Sequence, residues 1–90
     1  MKVLKKEPGK KPEWVEIDNT LEALQKAVGG YIQAVPYYNY VVICDEEGRL
    51  KGKAYNQAIG GVTFVGTILI VGDDGEDFTD LPEDANIAWR

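Results

Sequence analysis

Tyrosine and amide side chains gather around two connections of this chain and are its best candidates for binding chemistry. A tyrosine ring offers a flat face on which a nucleobase can stack, and an amide can read the hydrogen-bonding edge of that base. The same rings are also able to anchor a protein interface or to pack within a sheet. The candidate ligand-binding residues are Tyr31, Tyr37, Tyr38, Asn39, Tyr55, Asn56 and Gln57.

The residue types that are absent from the chain argue against catalysis. The sequence contains no histidine and no serine, and its single cysteine, Cys44, lies in an apolar run. Histidine is the usual general acid or base near neutral pH, so Ser-His and Cys-His nucleophiles are excluded together with His-bearing zinc sites. We therefore expect Cys44 to be a buried, inert thiol, and the protein to bind without catalytic residues, a metal or a cofactor.

Two further motifs give weaker signals. The loop that carries Asp73, Asp74, Glu76 and Asp77 offers oxygen ligands for calcium or magnesium, but its glycine falls too early for an EF-hand. A hydrolase that holds a metal with these carboxylates is the remote alternative to a binding function. The glycine-rich stretch 60–66 lacks the lysine of a Walker motif, so a flexible connection with a sheet bulge is favoured there.

Length and charge bound the class of protein. The chain has 90 residues and a net charge of −5, which predicts a single domain over residues 1–90 and argues against binding to duplex nucleic acid. Residues 1–11 are basic and residues 73–90 are acidic, so the two ends are able to attract each other within one subunit or between subunits. Because exposed ion pairs are weak, two solvated surfaces are the favoured interpretation. With no long apolar run and no possible internal disulfide, we expect a cytoplasmic protein without membrane contact. Five tyrosines and two tryptophans in so short a chain also predict a homo-oligomer.

The elements that must position these side chains form an α+β fold, a small, mainly antiparallel sheet with one principal helix packed on one face. Short β-prone runs on either side of Pro8-Gly9 predict an opening hairpin. The helix is expected over residues 20–28, with Asn19 as its N-cap, Glu22 completing a capping box, and the pair Gly29-Gly30 as its stop.

Strands and short turns are expected along the rest of the chain. Residues 31–35 predict a strand that Pro36 ends or places at an edge, and residues 40–44 predict a central strand. Residues 49–51 are expected as a short strand and residues 55–59 as a helical turn. Residues 62–71 are expected as one long bent strand or as two short strands, with a bulge permitted at Gly66. The tail is expected to dock through Leu81, Ile87 and Trp89, and the predicted core comprises Leu21, Leu24, Val41, Ile43, Ile68 and Ile70.

Stretches of residues 2–9 and 15–32, with pieces of 47–58 and 66–78, resemble domain-of-unknown-function family 3846. The most specific part of the resemblance is the block Gly29-Gly30-Tyr31-Ile32. Such proteins occur in Gram-positive bacteria and in their phages and mobile elements, which implies an accessory intracellular role but supplies no activity. Where the family usually has an Asn-Arg pair, this chain has Asn56-Gln57, and the longer amphipathic helix often found after the position of Phe78 is missing.

These observations lead to one main hypothesis with two versions. The chain is expected to be a non-enzymatic binding protein of phage or mobile-element type that neutralises a host factor in the host cytoplasm. It does so either by sequestering a nucleotide-derived immune signal or by masking a host protein. A subunit of a larger assembly is a third, purely structural interpretation.

Overall fold

A computed structural model describes residues 1–89 of the chain. Within these residues, eight strands and one helix follow each other along the sequence. They are β1 (Lys2–Lys6), β2 (Glu13–Glu16), α1 (Leu21–Val28), β3 (Ile32–Tyr37), β4 (Tyr40–Asp45), β5 (Tyr55–Ile59), β6 (Val62–Val65), β7 (Ile68–Asp73) and β8 (Phe78–Thr79). In this part of the chain, no helix is both long and apolar enough to cross a membrane.

The main sheet is antiparallel throughout and has the strand order β2-β1-β7-β4-β3. Strand β7 pairs with β4 along one edge, while β1 and the short β8 share its other edge. Strands β5 and β6 form a separate hairpin. The predicted α+β class, the opening hairpin, the central position of residues 40–44 and the edge position of the Pro36 strand are therefore confirmed.

Both faces of the main sheet are covered, which explains why its two central strands are apolar at almost every position. Successive side chains of a strand point to opposite faces. On one face, Val41, Ile43 and Leu69 pack under Leu24 and Val28 of α1. On the other face lies a second buried cluster, which joins the sheet to the β5–β6 hairpin and to the tail through Val42, Cys44, Ile59, Phe64, Ile68, Ile70 and Leu81.

The predicted core is confirmed except at Leu21, which is 59% exposed. Leu21 is the first residue of α1, whereas Leu24 and Val28, four residues apart, lie on the face that meets the sheet. The N-cap is also one residue later than predicted: Thr20 Oγ1 accepts a hydrogen bond from the Ala23 backbone N–H at 3.1 Å. Asn19 instead donates to the backbone oxygen of Phe78 at 2.8 Å.

Two local predictions are wrong for reasons that the turns explain. Residues 55–59 form strand β5 and not a helical turn, because Gly60 and Gly61 both adopt positive φ angles, 58° and 84°. Two consecutive residues of this kind make the tight turn of a β-hairpin, so β5 pairs with β6. Residues 49–51 lie in turns and not in a strand. Gly66, with φ 73°, lies between β6 and β7, so of the two predicted alternatives for residues 62–71 the one with two short strands is confirmed.

The acidic tail is held against the basic start of the chain. Lys2 Nζ forms an ion pair with Glu83 Oε1 at 2.9 Å, and the Lys2 backbone N–H donates to Asp80 Oδ1 at 2.8 Å. Leu81 is buried, and Ile87 and Trp89 are partly buried against the same cluster. The predicted docking of the tail is confirmed, and it brings residues 80–89 beside the turn between β3 and β4.

Candidate functional site

The turn between β3 and β4 presents an aromatic side chain in a strained conformation. Tyr38 has a φ of 55°, a left-handed conformation that costs a non-glycine residue roughly 1–2 kcal/mol, and it is 89% exposed. Its ring meets the ring of Tyr37 edge to face, with the two centroids 4.7 Å apart. Tyr37 and Tyr40 are the last paired residues of β3 and β4, and the tight turn between them requires a positive φ at its first residue. The geometry of the turn therefore holds the Tyr38 ring out toward solvent.

Tyr37 connects this turn to the tail and to the β5–β6 hairpin. Its ring lies directly over the backbone of Gly60, where a Cβ atom would overlap it. The Gly60 N–H donates to the Ala88 backbone oxygen at 3.0 Å. Three segments that are distant in sequence therefore meet around one tyrosine ring, and any side chain at position 60 would push them apart.

Between the turn and the tail lies a concave surface, which we call the tyrosine cleft. Its volume is about 480 Å³, and residues 37–40 line one side, with Asp84 and Asn86 of the tail on the other. The Tyr40 hydroxyl donates to the Asn86 backbone oxygen at 3.3 Å. A tyrosine hydroxyl is protonated at neutral pH, and burial raises the pKa of Tyr40 further, so this hydroxyl remains a donor.

The tyrosine cleft combines aromatic faces with hydrogen-bond acceptors. Its polar side chains include the amides of Asn39 and Asn86 and the carboxylate of Asp84, and among its described residues no lysine or arginine lines it. Such a surface suits a flat group whose N–H groups donate to a carboxylate and to amide oxygens, as a nucleobase does. It does not suit a phosphate, because Asp84 repels an anion.

The predicted ligand-binding residues do not all lie at this cleft. Tyr37, Tyr38 and Asn39 line it, while Tyr31 and Tyr55 are exposed elsewhere, by 65% and 61%. Tyr31 precedes β3 and Tyr38 follows it, so the six-residue strand places them about 20 Å apart. The structure thus brings three of the seven predicted residues together.

Asn56 and Gln57 take different positions, because strand neighbours point to opposite sides. Asn56 is buried, and its Nδ2 donates to the backbone oxygens of Lys6 at 2.8 Å and Gly66 at 2.7 Å. Its Oδ1 accepts from Lys6 Nζ at 2.9 Å, so the amide is engaged within the protein. Gln57 lies in a second concavity.

This second concavity, the basic pocket, is a feature that the sequence analysis missed. It has a volume of about 430 Å³ and is lined by Lys6, Lys10, Lys11, Gln57 and Trp89, with Gly9 and Pro12 of the β1–β2 turn. From the sequence alone, the repeated lysines around Pro8-Gly9 indicate only a basic, solvated start of the chain. The alternation of these lysines with turn residues was the signal available in the sequence. The position of Trp89 beside them could not be predicted, because it is a tertiary contact with the other end of the chain.

The buried carboxylate of Asp45 belongs to a structural cluster at the end of α1. Its Oδ2 forms ion pairs with Lys51 Nζ at 2.9 Å and Lys53 Nζ at 2.7 Å. Lys53 Nζ also donates to the Val28 backbone oxygen at 2.7 Å, which satisfies a carbonyl at the helix C-terminus. Burial alone would raise the pKa of Asp45, but the hydrogen bonds from both lysines outweigh it and hold that pKa well below its usual range.

The other groups that the sequence singled out are occupied by local bonds. Asp74 Oδ1 accepts the backbone N–H groups of Glu76 at 2.9 Å and Asp77 at 2.8 Å, and these bonds lower the pKa of Asp74. Cys44 is buried, and burial raises the pKa of its thiol. Within residues 1–89, no three His, Cys, Asp or Glu side chains form a group able to hold a metal ion.

Comparison with known proteins identifies a family but not an activity. No curated protein and no solved structure matches the chain. The family described as Domain of unknown function (DUF3846) matches residues 1–89, which include both concavities and all strands described above. The chain therefore belongs to the DUF3846 family.

Proposed function

We propose that this chain is a non-enzymatic binding protein of phage or mobile-element type that neutralises a host factor in the host cytoplasm. Its proposed action is to sequester a nucleotide-derived immune signal by holding the base of that nucleotide in the tyrosine cleft. The observation that carries the proposal is the cleft itself, because its volume of about 480 Å³ lies within the range of small-molecule sites.

The chemistry of the cleft fits a base better than it fits the rest of a nucleotide. Stacking of a base on an aromatic side chain contributes roughly 1–3 kcal/mol. The exposed ring of Tyr38 offers such a face, and the carboxylate of Asp84 is an acceptor for the N–H groups of a base. Phosphates would point away from Asp84 toward solvent.

Binding without catalysis is supported by the state of the reactive groups. The sequence has no histidine, and the only thiol, that of Cys44, is buried with a raised pKa. The carboxylates of Asp73 and Asp74 accept backbone N–H groups of their own loop. A carboxylate-metal hydrolase therefore stays the remote alternative.

Masking of a host protein is the second candidate, and the outer edge of β3 favours it. This strand ends the main sheet, and within residues 1–89 no strand pairs with its outer edge. Tyr38 projects beside that edge. The same edge is the proposed contact of a homo-oligomer, and sedimentation velocity tests it: a strictly monomeric protein would exclude the assembly.

Calorimetry with a panel of cyclic and ADP-ribose-type nucleotides tests the main proposal. We expect one class of nucleotide to bind wild type and Tyr31→Ala with equal affinity, because Tyr31 is an exposed tyrosine outside the cleft. Tyr38→Ala should bind at least tenfold more weakly, and chromatography should recover the nucleotide unchanged. Absence of binding across the panel would overturn sequestration and leave the masking of a host protein as the proposal.

A further inference from the structure

We propose that the basic pocket binds a pyrophosphate group, either as inorganic pyrophosphate or as the diphosphate of a nucleotide. This site is separate from the tyrosine cleft and does not depend on the function proposed for it. Lys6, Lys10 and Lys11 would contact the anion, and Trp89 with Gln57 would form the wall beside it.

The main argument is the state of Lys6. Lys6 is only 8% exposed, yet its side chain forms no ion pair within residues 1–89. Its Nζ donates to Asn56 Oδ1 at 2.9 Å and, at the longer distance of 3.5 Å, to the Glu7 backbone oxygen. Both acceptors are neutral. Because buried charges in proteins are normally paired, an anion in the pocket that Lys6 lines would supply the missing counter-charge.

The position of the Lys6 side chain is fixed before any ligand arrives. Asn56 orients the ammonium group, and the Asn56 amide is in turn locked by the backbone oxygens of Lys6 and Gly66. A group that is already held in place loses little conformational entropy on binding. Lys6 is therefore a preorganised anion ligand and not a mobile surface lysine.

The charge of the pocket matches a small polyanion. Lys10 pairs with Glu7 at 3.3 Å, and Lys11 forms no ion pair within the described residues. Three lysines against this one carboxylate leave a local excess of two positive charges on a chain whose net charge is −5. This positive patch on an acidic protein would concentrate a pyrophosphate locally.

Trp89 and Gln57 favour a nucleotide over the bare anion. The indole of Trp89 packs partly against the core cluster and also lines the pocket, so a base attached to the diphosphate finds an aromatic surface beside the lysines. Gln57 Nε2 donates to the Ala58 backbone oxygen at 3.2 Å, while its own side-chain oxygen accepts no hydrogen bond from residues 1–89. That oxygen is available to a donor on the base.

Trp89 also provides the readout for the test. In a Trp14→Phe background, Trp89 is the only tryptophan, and its fluorescence is titrated with pyrophosphate and with ADP at physiological salt. The test variant is Lys10→Ala/Lys11→Ala, which removes two exposed charges from a turn. Its matched control is Lys5→Ala/Lys26→Ala, because this pair lies together at another concavity on the helix side of the sheet. Circular dichroism checks that each variant is folded.

We expect both probes to change the fluorescence of Trp89, ADP at lower concentration than pyrophosphate. Lys10→Ala/Lys11→Ala should lower the affinity for each probe at least tenfold. The control pair should leave both affinities within twofold of wild type. Tyr38→Ala should also leave them unchanged, which separates this site from the tyrosine cleft. No response up to millimolar concentration, or an equal loss in the control pair, would overturn the proposal. Equal affinity for the two probes would support the anion site and exclude a contact between the base and Trp89.

Discussion

The Nζ of Lys6 donates a hydrogen bond to Oδ1 of Asn56 at 2.9 Å, across 50 residues of sequence, and both residues are buried. This bond joins β1 to the β5–β6 hairpin, and the Asn56 amide returns a bond to the Lys6 backbone oxygen at 2.8 Å. One amide thus holds the hairpin on the sheet and at the same time orients the lysine that lines the basic pocket.

Replacing Asn56 by Leu should destabilise the protein because it leaves the Lys6 ammonium and two backbone oxygens without their partner. Each buried polar group that loses its partner costs about 1–3 kcal/mol. Urea denaturation measures the change in the free energy of unfolding. Gln57→Leu, next in sequence but with one weak local bond, is the control and should alter it by about 0.5 kcal/mol or less. Equal effects of the two changes would contradict the role given to Asn56.

The two leucines of α1 offer a matched pair for the core. Leu24 is 2% exposed and Leu21 is 59% exposed. Leu24→Ala should cost about 2–5 kcal/mol, since it leaves a cavity under the helix. Leu21→Ala should change the free energy of unfolding by about 0.5 kcal/mol or less. Similar denaturation midpoints for both variants would show that the helix does not pack as described.

Asp45 should make the protein sensitive to acid. The pKa of Asp45 in the folded protein lies below its ordinary value of about 3.9, so its ion pairs contribute stability in full above about pH 4. That stability is lost as the pH falls through the folded-state pKa, where the carboxylate becomes protonated. Asp45→Asn should cost about 1–3 kcal/mol at neutral pH and flatten this dependence. Thermal unfolding between pH 7 and pH 2 measures it, and parallel curves for wild type and variant would contradict the assignment.

Tyr38 should be more important for binding than for stability. Tyr38→Gly relieves the left-handed strain, worth roughly 1–2 kcal/mol, but gives up the contact with Tyr37 and adds freedom to the unfolded chain. We expect the free energy of unfolding to fall by no more than about 1 kcal/mol relative to wild type. Ligand binding at the cleft should be lost. A larger loss of stability in thermal unfolding would mean that the ring serves packing.

Much of the fold follows from local patterns in the sequence. The apolar runs at residues 40–44 and 62–71 predicted strands, and the pair Gly29-Gly30 predicted the end of the helix. The structure adds a reason for the second glycine, since a Cβ at Gly30 would lie 2.6 Å from Asp45 Oδ1. That close approach joins residues far apart in sequence and has no local signature.

The site was less predictable because it depends on how the ends of the chain pack. Tyr37, Tyr38 and Asn39 are neighbours in sequence, so their shared location was predictable, but Asp84 and Asn86 reach the cleft only through the docked tail. Asn39 and Asn56 were both predicted to bind a ligand because both are amides close to tyrosines in the sequence. The position of Asn56 in β5, however, directs its side chain into the protein. Composition identifies such side chains, whereas strand phase and tertiary contacts decide which of them face a ligand.

The most direct test of the proposed binding function is a titration followed by amide chemical shifts, with the nucleotide of the panel that binds most tightly. We predict shift changes centred on residues 37–40 and 84–88, the two walls of the tyrosine cleft, and none at the exposed tyrosines Tyr31 and Tyr55. No nucleotide-dependent changes, or changes centred on the acidic loop at residues 73–77, would contradict the assignment of the cleft as the binding site.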